Sequence, residues 1–495
     1  MTRANKIKMT KTTDPMDAIE IAEPAEERDP TDGNARETTE ARTQRRPAST
    51  DGLERIRAAA RRDKDAKFTA LLHHVTPERL TASFEALKPK AAPGVDGVTW
   101  EDYAPDREAR LADLHDRLHK GSYRTKPSKR GWIEKEDGKR RPLGIAALED
   151  KIAQKAISTI LGHIYEEDFI GFSYGFRPGR SQHQALDALC GGIMTRKVNW
   201  VLDADIQGYF DTIVHECMLK FLEHRIGDRR VLRLIRKWLK AGVLDEEEWL
   251  ATSQGTPQGA VISPLLANVY LHYVFDLWAR QWRDRHATGD VIIVRYADDF
   301  VVGFQHREEA ERFLQELGEQ FAQFGLQLHP EKTRLIEFGR YAEERRKRRG
   351  ERKPDTFNFL GFTHLCGRAR QGGFSLKRKP MAKRMRRKLA ETYREMRWRM
   401  HDKVGEQGEW LRQVVQGWYQ YYALPDTRPV LDSFRNEITR LWCMTLRRRS
   451  QRARRKMTWE KMRLLADRYL PKARILHPYP ELSRYVTTGG RSRMR

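Results

Sequence analysis

Val291-Ile292-Ile293-Val294-Arg295-Tyr296-Ala297-Asp298-Asp299-Phe300-Val301-Val302-Gly303-Phe304 is the stretch on which the reading of the chain turns. Two β-branched apolar runs flank Ala-Asp-Asp, the pattern of a buried β-hairpin whose turn is built from short polar residues. Two adjacent carboxylates among Val, Ile, Tyr and Phe cost roughly a few kcal/mol each to desolvate unless cations or hydrogen bonds compensate them. A hard divalent metal is the natural compensator. The plainer reading is a solvated Asp-Asp turn on an ordinary hairpin, so the remaining motifs have to decide.

The chain has 495 residues, enough for two to four domains and a sizeable interior. Its 94 Lys and Arg outnumber its 69 Asp and Glu, a formal charge of +25 that calls for a polyanionic partner. Nucleic acid is favoured over a membrane surface, because no segment has the roughly eighteen consecutive apolar residues of a span. Met1-Thr2-Arg3-Ala4-Asn5-Lys6 leads into no hydrophobic signal core, so a cytoplasmic, nucleoid- or RNP-associated protein is expected. Cys190, Cys217, Cys366 and Cys443 stand far apart, with neither a Cys-x-x-Cys nor a zinc-like His pairing, and read as reduced thiols.

Residues 1–65 are rich in Thr, Glu, Asp, Arg and Pro and read as a disordered or weakly helical leader. Short amphipathic helices follow from Phe68. Trp132 to Ile145 reads as a hairpin with an Asp137-Gly138 turn and cations on its returning arm, either merely solvated or a phosphate clamp. Ser173-Tyr174-Gly175-Phe176-Arg177-Pro178-Gly179-Arg180-Ser181 breaks a core-facing helix pattern; it is either a tight charged turn or a place where Arg177 and Arg180 hold a nucleic-acid backbone. Trp200 to Asp211 is a strand running into a helix, and period two puts Asp203 and Asp205 on one face. Val231, Leu234, Ile235, Trp238 and Leu239 mark an amphipathic helix stopped at Gly242. Ser263-Pro264 reads as the capped entry to a helix from Leu265 to Trp278. Arg345 to Arg349 reads as a solvated loop. Past Pro380, Arg384, Arg386, Arg387, Lys388, Arg394 and Arg397 interleave with Met385, Leu389, Tyr393, Met396 and Trp398 on a helix, which suits a nucleic-acid cradle.

Taken together, Asp205-Ile206-x-x-x-Phe210, Gln258-Gly259-x-x-x-Ser263-Pro264 and Tyr296-Ala297-Asp298-Asp299 resemble, in order and spacing, the palm motifs of reverse transcriptases. Pro93-Gly94-Val95-Asp96-Gly97, Arg141-Pro142-Leu143-Gly144-Ile145, Tyr174 to Arg180, Gly325-Leu326-x-Leu328-x-x-x-Lys332-Thr333 and Phe359-Leu360-Gly361-Phe362 are similar to blocks of bacterial group II intron reverse transcriptases, or maturases. The likeness covers residues 68 to 480. It implies an α+β, right-hand polymerase: fingers and palm with a small antiparallel sheet flanked by helices, then an all-helical thumb. The implied boundaries are 66–200 for fingers with an N-terminal extension, 201–375 for palm with part of the fingers, and 376–475 for the thumb, or domain X. Residues 476–495 are then a short basic tail, a candidate DNA-binding remnant; the His-Asn-His nuclease many relatives carry is not expected here, as no cysteine follows Cys443.

Phosphoryl transfer from a nucleoside triphosphate calls for two Mg2+ ions, with Mn2+ as substitute. The resemblance assigns them to Asp205 and Asp298 first, Asp299 third, and the backbone carbonyl of Ile206. It puts Phe210 under the incoming sugar, where it selects deoxynucleotides by excluding a 2′-hydroxyl. Gln258 and Gly259 line the nucleotide site, Lys135 and Arg141 contact the triphosphate, and Lys332 is a candidate proton donor to the leaving pyrophosphate. The implied partners are group II intron RNA, an RNA template with a DNA primer, deoxynucleoside triphosphates and target DNA, with no membrane; the oligomeric state, monomer or dimer, is left open. The expected function is an RNA-directed DNA polymerase that binds its intron RNA, assists splicing and copies the intron into DNA. A splicing-only RNA-binding protein and a domesticated enzyme of phage defence or CRISPR spacer acquisition are the alternatives.

Overall fold

The computed structural model describes residues 48–134, 140–245, 248–250, 254–256, 259–369 and 371–480. In chain order, α1 (Ala48–Arg62), a 3-10 turn at Leu72–His74, α2 (Pro77–Glu85), α3 (Trp100–Tyr103) and α4 (Arg107–Lys120) precede the hairpin of β1 (Ser128–Glu134) and β2 (Arg140–Ile145). Next come α5 (Leu148–Asp168), α6 (Gln182–Thr195), β3 (Trp200–Ala204), α7 (Tyr209–Thr212), α8 (His215–Arg225), α9 (Arg229–Leu239), β4 (Val243–Asp245) and β5 (Glu248–Leu250). α10 (Ser263–Leu271) runs through a π-helical stretch, His272–Asp276, into α11 (Leu277–His286). The hairpin quoted above is β6 (Val291–Tyr296) and β7 (Asp299–Phe304). After it stand α12 (Arg307–Gln323), β8 (Arg334–Glu337), α13 (Ala342–Arg348), β9 (Phe357–Phe359), β10 (Phe362–Arg368) and β11 (Phe374–Pro380). The remainder is helical: α14 (Ala382–Trp398), α15 (Val404–Tyr422), α16 (Arg428–Arg447), α17 (Gln451–Lys456) and α18 (Trp459–Tyr469).

The central sheet has the order β6-β7-β3-β8, every pair antiparallel. Because side chains alternate along a strand, its two faces feed different cores. Leu202, Ile293, Phe300, Val302 and Phe304 pack into the larger core, shared with α5, α8, α10 and α12. Val201, Val294, Val301 and Ile336 face the other way, into a second core with α6, β9 to β11 and the C-terminal helices. A sheet buried on both faces has no solvated side, which is why β6 and β7 are almost continuously apolar. The expected α+β class with small antiparallel sheets and a helical C-terminal part holds; one pair departs from it, since β1 runs parallel to β4 within the order β2-β1-β4-β5.

Three local expectations need correction. The leader, read as disordered or weakly helical to residue 65, carries at its end a helix that is part of the packed fold: Leu53, Ile56 and Ala60 form a buried stripe on α1, which packs on α5, and Arg57 Nε donates to Glu167 Oε1 at 2.8 Å. A stripe of three small or branched residues is too sparse to stand out from a polar composition. Ser263 lies inside the first turn of α10 and does not cap it; Ile262 is the N-cap. Arg345 to Arg348 are helical, not a loop, because carboxylates neutralise the run: Arg346 pairs with Asp355 at 2.8 Å, Arg348 with Glu344 at 2.5 Å, and Arg349 with Glu351 at 2.5 Å. Residues 1–47, the 135–139 turn with Lys135, Gln258 and the tail from 481 lie outside the described residues, as does the side chain of Arg141. Among the described residues no helix is long and apolar enough to cross a membrane.

Candidate active site

The register of the central sheet brings the motif aspartates to one end. Ala204 of β3 lies opposite Phe300 of β7, so the next residue, Asp205, emerges beside Asp299. Tyr296 pairs with Asp299, leaving Ala297 and Asp298 as a two-residue turn. Ala297 adopts a left-handed φ of 57°, which a non-glycine residue holds only where its surroundings fix it.

Those surroundings are a buried polar brace. Arg295, fully buried, donates through Nε to Asp276 Oδ1 at 2.6 Å and through Nη2 to Asp276 Oδ2 at 2.5 Å. Its Nη1 donates to Asn268 Oδ1 and to the carbonyl of Ala297, both at 3.0 Å. Asn268 Nδ2 in turn donates to Gly175 O at 2.6 Å. The block from Ser173 lies alongside β6, with Tyr174 N donating to Arg295 O and Arg295 N to Phe172 O, each at 2.9 Å. A Cβ on Gly175 would stand 2.3 Å from Ala297 N, so only glycine permits this approach to the turn. None of the three was assigned a role from the sequence; Arg295 had a signal, as a charge inside an apolar strand, whereas Asp276 and Asn268 had none, because the π-helical stretch that delivers Asp276 has no sequence signature.

On the neighbouring edge, Asp205 O accepts from His329 N and Gln207 N donates to Gln327 O, both at 2.8 Å, and Ile206 bridges to Leu328. The Gly325 to Thr333 block is thereby laid along the end of β3. Lys332 Nζ reaches Asp205 Oδ2 at 2.7 Å, and Arg334 Nη2 reaches Asp203 Oδ2 at 3.3 Å, so the two aspartates do share a face. Burial raises the Asp203 carboxyl, Arg334 opposes the rise and the Asp205 charge adds to it. Asp299 reaches solvent, yet the protein around it still desolvates it. That burial, followed by the charges of Asp298, Asp205 and Asp203 and against the pull of Arg384, raises it to about 7.

Four mutually repelling carboxylates at a sheet end are the hard-oxygen donor set that divalent cations neutralise, and reverse transcriptases as a family use divalent metals. Among the described residues no three His, Cys, Asp or Glu side chains already stand as a closed ligand cluster. Lys332 occupies the Asp205 carboxylate instead, compensating the charge in the way a metal would.

Phe210 is the second residue of α7, and its carbonyl accepts from Thr256 N at 2.7 Å, which ties the Gly255 loop to the segment that follows β3. Gly259 has φ 111°, and a Cβ there would lie 3.0 Å from Gly144 O, so this loop also closes on β2, the strand of Arg141. Arg384, in the first turn of α14, enters the electrostatic surroundings of Asp299, and its Nη1 would stand 2.7 Å from a Cβ on Gly361. Arg394 and Arg397 are exposed and Lys388 half-buried, whereas Arg386 donates to Ala382 O at 3.4 Å and Arg387 pairs with Glu391 at 2.8 Å.

Arg177 is a correction. Its side chain is 1% exposed, pairs with Glu166 at 2.8 Å and donates to the carbonyls of Ile170 and Ser173 at 2.8 and 2.7 Å. With its donors spent on closing the 166–177 loop, it has no face for a phosphate. Arg180 Nη1 donates to Gly171 O at 2.8 Å and the guanidinium lies 5.1 Å from the Tyr174 ring centroid.

Comparison with known proteins agrees with this geometry. The family model described as reverse transcriptase (RNA-dependent DNA polymerase) matches residues 133–364. Protein YkfC of Escherichia coli K12 is 37% identical over 278 residues, 48% of this chain and 71% of that protein. Group II intron-encoded protein LtrA of Lactococcus lactis is 36% identical over 225 residues, 44% of this chain and 37% of LtrA. A 91 kDa protein in the cob intron of Schizosaccharomyces pombe is 42% identical over 146 residues, 30% of this chain and 18% of that protein. The chain belongs to the reverse transcriptase family, the RNA-directed DNA polymerases, and is homologous to proteins that group II introns encode.

Proposed function

We propose that the protein copies RNA into DNA at the Asp205, Asp298 and Asp299 site, binds a group II intron RNA, assists its splicing and carries the intron into new DNA. The observation that supports this reading best is the register placing Asp205 beside the braced Ala297-Asp298 turn. Two Mg2+ ions, or Mn2+ in their place, held by Asp205, Asp298, Asp299 and the Ile206 carbonyl, would supply charge neutralisation and activation of the primer 3′-hydroxyl. The chain's own residues do the rest. Arg295 fixes the turn, Lys332 holds Asp205 and stands ready to give a proton to departing pyrophosphate, and Phe210 bounds the sugar site. Gln258, Gly259, Lys135 and Arg141 complete the proposed nucleotide contacts. Arg180, Arg384, Arg386, Arg387, Lys388, Arg394 and Arg397 are the proposed cations for template-primer and intron RNA.

On this reading residues 66–200 are fingers, 201–375 palm and 376–475 thumb, working in the cytoplasm. Primer extension on an RNA template with Mg2+ tests the proposal. Asp298→Ala should abolish synthesis and leave RNA affinity nearly unchanged; loss of both, or persistence of synthesis, rejects the site. Tight intron binding by a wild-type protein that never extends a primer would support the splicing-only alternative.

A further inference from the structure

α9 carries a row of cations for which the active site has no use. Arg229, Arg233, Arg236 and Lys240, the last at the helix C-cap, are exposed, while Val231, Leu234, Ile235 and Trp238 are buried on the opposite side. At 3.6 residues per turn, spacings of four, three and four keep the cations within about 60° of one another along about 16 Å of axis. No carboxylate among the described residues pairs with any of the four, although the adjoining Arg230 is held on Asp228 at 3.3 Å. The contrast is with α13, where the basic run is met by Glu344 of the same helix and by Glu351 and Asp355 just beyond it. Like charges three and four residues apart on a helix repel, so the row is relieved by an external polyanion.

We propose that the α9 row is an RNA contact outside the catalytic groove, taking the phosphate backbone of a folded RNA. This rests on the polymerase reading for its choice of RNA. Three of the four are arginines, whose planar forks match phosphate oxygens. A membrane surface fits less well, since every apolar side chain of α9 is turned inward and none is left to enter a bilayer interface. The charges that act most on Asp299 are those of Asp298, Asp205, Asp203 and Arg384, none of them on α9.

The test uses the full chain, a transcribed RNA hairpin too long for the groove, and the quadruple variant R229Q/R233Q/R236Q/K240Q. Gln is as good a helix former as Arg or Lys, so the fold, checked by circular dichroism, is retained. The variant should bind the hairpin at least tenfold more weakly at 0.1 M salt, with the slope of log affinity against log salt smaller by about two to three. The charge-preserving R229K/R233K/R236K should keep the wild-type slope, and R233Q/R236Q should give about half the change. Extension of a short primer-template hybrid confined to the groove should be unaffected. An unchanged salt slope overturns the proposal, and so does a quadruple variant that loses short-hybrid extension together with hairpin binding. Loss of binding to phosphatidylserine vesicles with the RNA slope intact assigns the face to a membrane and likewise overturns it. If the wild-type protein fails on the short hybrid while the slopes change as stated, the polymerase reading falls and the α9 contact stands.

Discussion

Arg295 links a strand, a π-helical stretch and the Ala297-Asp298 turn through one guanidinium. A buried ion pair contributes little net stability against an apolar replacement, but removing one partner strands the other at a cost of about 3–5 kcal/mol. Arg295→Met should therefore destabilise the protein by that order in denaturant melts. The double variant R295M/D276L removes both charges and should regain most of the loss. Its primer-extension rate should still fall at least tenfold, because the Ala297 carbonyl has lost its donor. Recovery of rate together with stability would mean that Arg295 is structural only. Asp228 gives a second case: it accepts from Leu71 N at 2.9 Å, Leu72 N at 3.0 Å and Arg230 N at 3.0 Å. Burial raises its carboxyl, but these bonds and Arg230 outweigh burial and bring it below the ordinary range. A carboxyl depressed by folding stabilises above its unfolded pKa, and that contribution is lost as pH falls through the folded value. Asp228→Ala should cost about 1–3 kcal/mol at neutral pH, and the gap to wild type in thermal melts should close as the pH is lowered into that range. A gap independent of pH would contradict the assignment.

Elements with a clear period were legible in the sequence, and those shaped by partners distant in the chain were not. β6 and β7 follow from two β-branched runs about a short polar turn, and Asp203 and Asp205 from strand alternation. The Ser173 to Arg180 block was ambiguous because its role depends on the strand it lies against. Its glycine records that contact: in Gly175→Ala a Cβ meets the Ala297 backbone, which cannot yield without moving the turn. A cost of about 1–3 kcal/mol is expected, with a fall in extension rate exceeding any fall in RNA affinity; equal losses in both would argue against a role at the turn. Charge reversal over Arg384, Arg386, Arg387 and Lys388 of α14 should weaken RNA binding and flatten its salt dependence. Arg387 should contribute least, since Glu391 already holds it, and an unchanged slope would remove this helix from the RNA surface.

For the molecule as a whole, the central sheet is the wall between two cores, and the proposed catalytic carboxylates sit at one end of it. The excess of 94 basic over 69 acidic residues was visible at once, but not where it is spent. Carboxylates in and just after α13 neutralise one basic run, burial commits Arg177 and Arg225 to the interior, and α9 leaves Arg229, Arg233, Arg236 and Lys240 exposed, as α14 leaves Arg394 and Arg397. Composition cannot separate these fates, because they depend on which carboxylates the fold brings near. In the proposed mechanism Asp205 and Asp298 act on the same divalent cations. This is tested most directly by Mn2+ binding, followed by electron paramagnetic resonance, to the wild-type protein and to Asp205→Asn with template-primer and a deoxynucleoside triphosphate analogue present. The wild type should hold about two ions tightly and the variant should lose at least tenfold in affinity; an unchanged isotherm would rule out shared coordination.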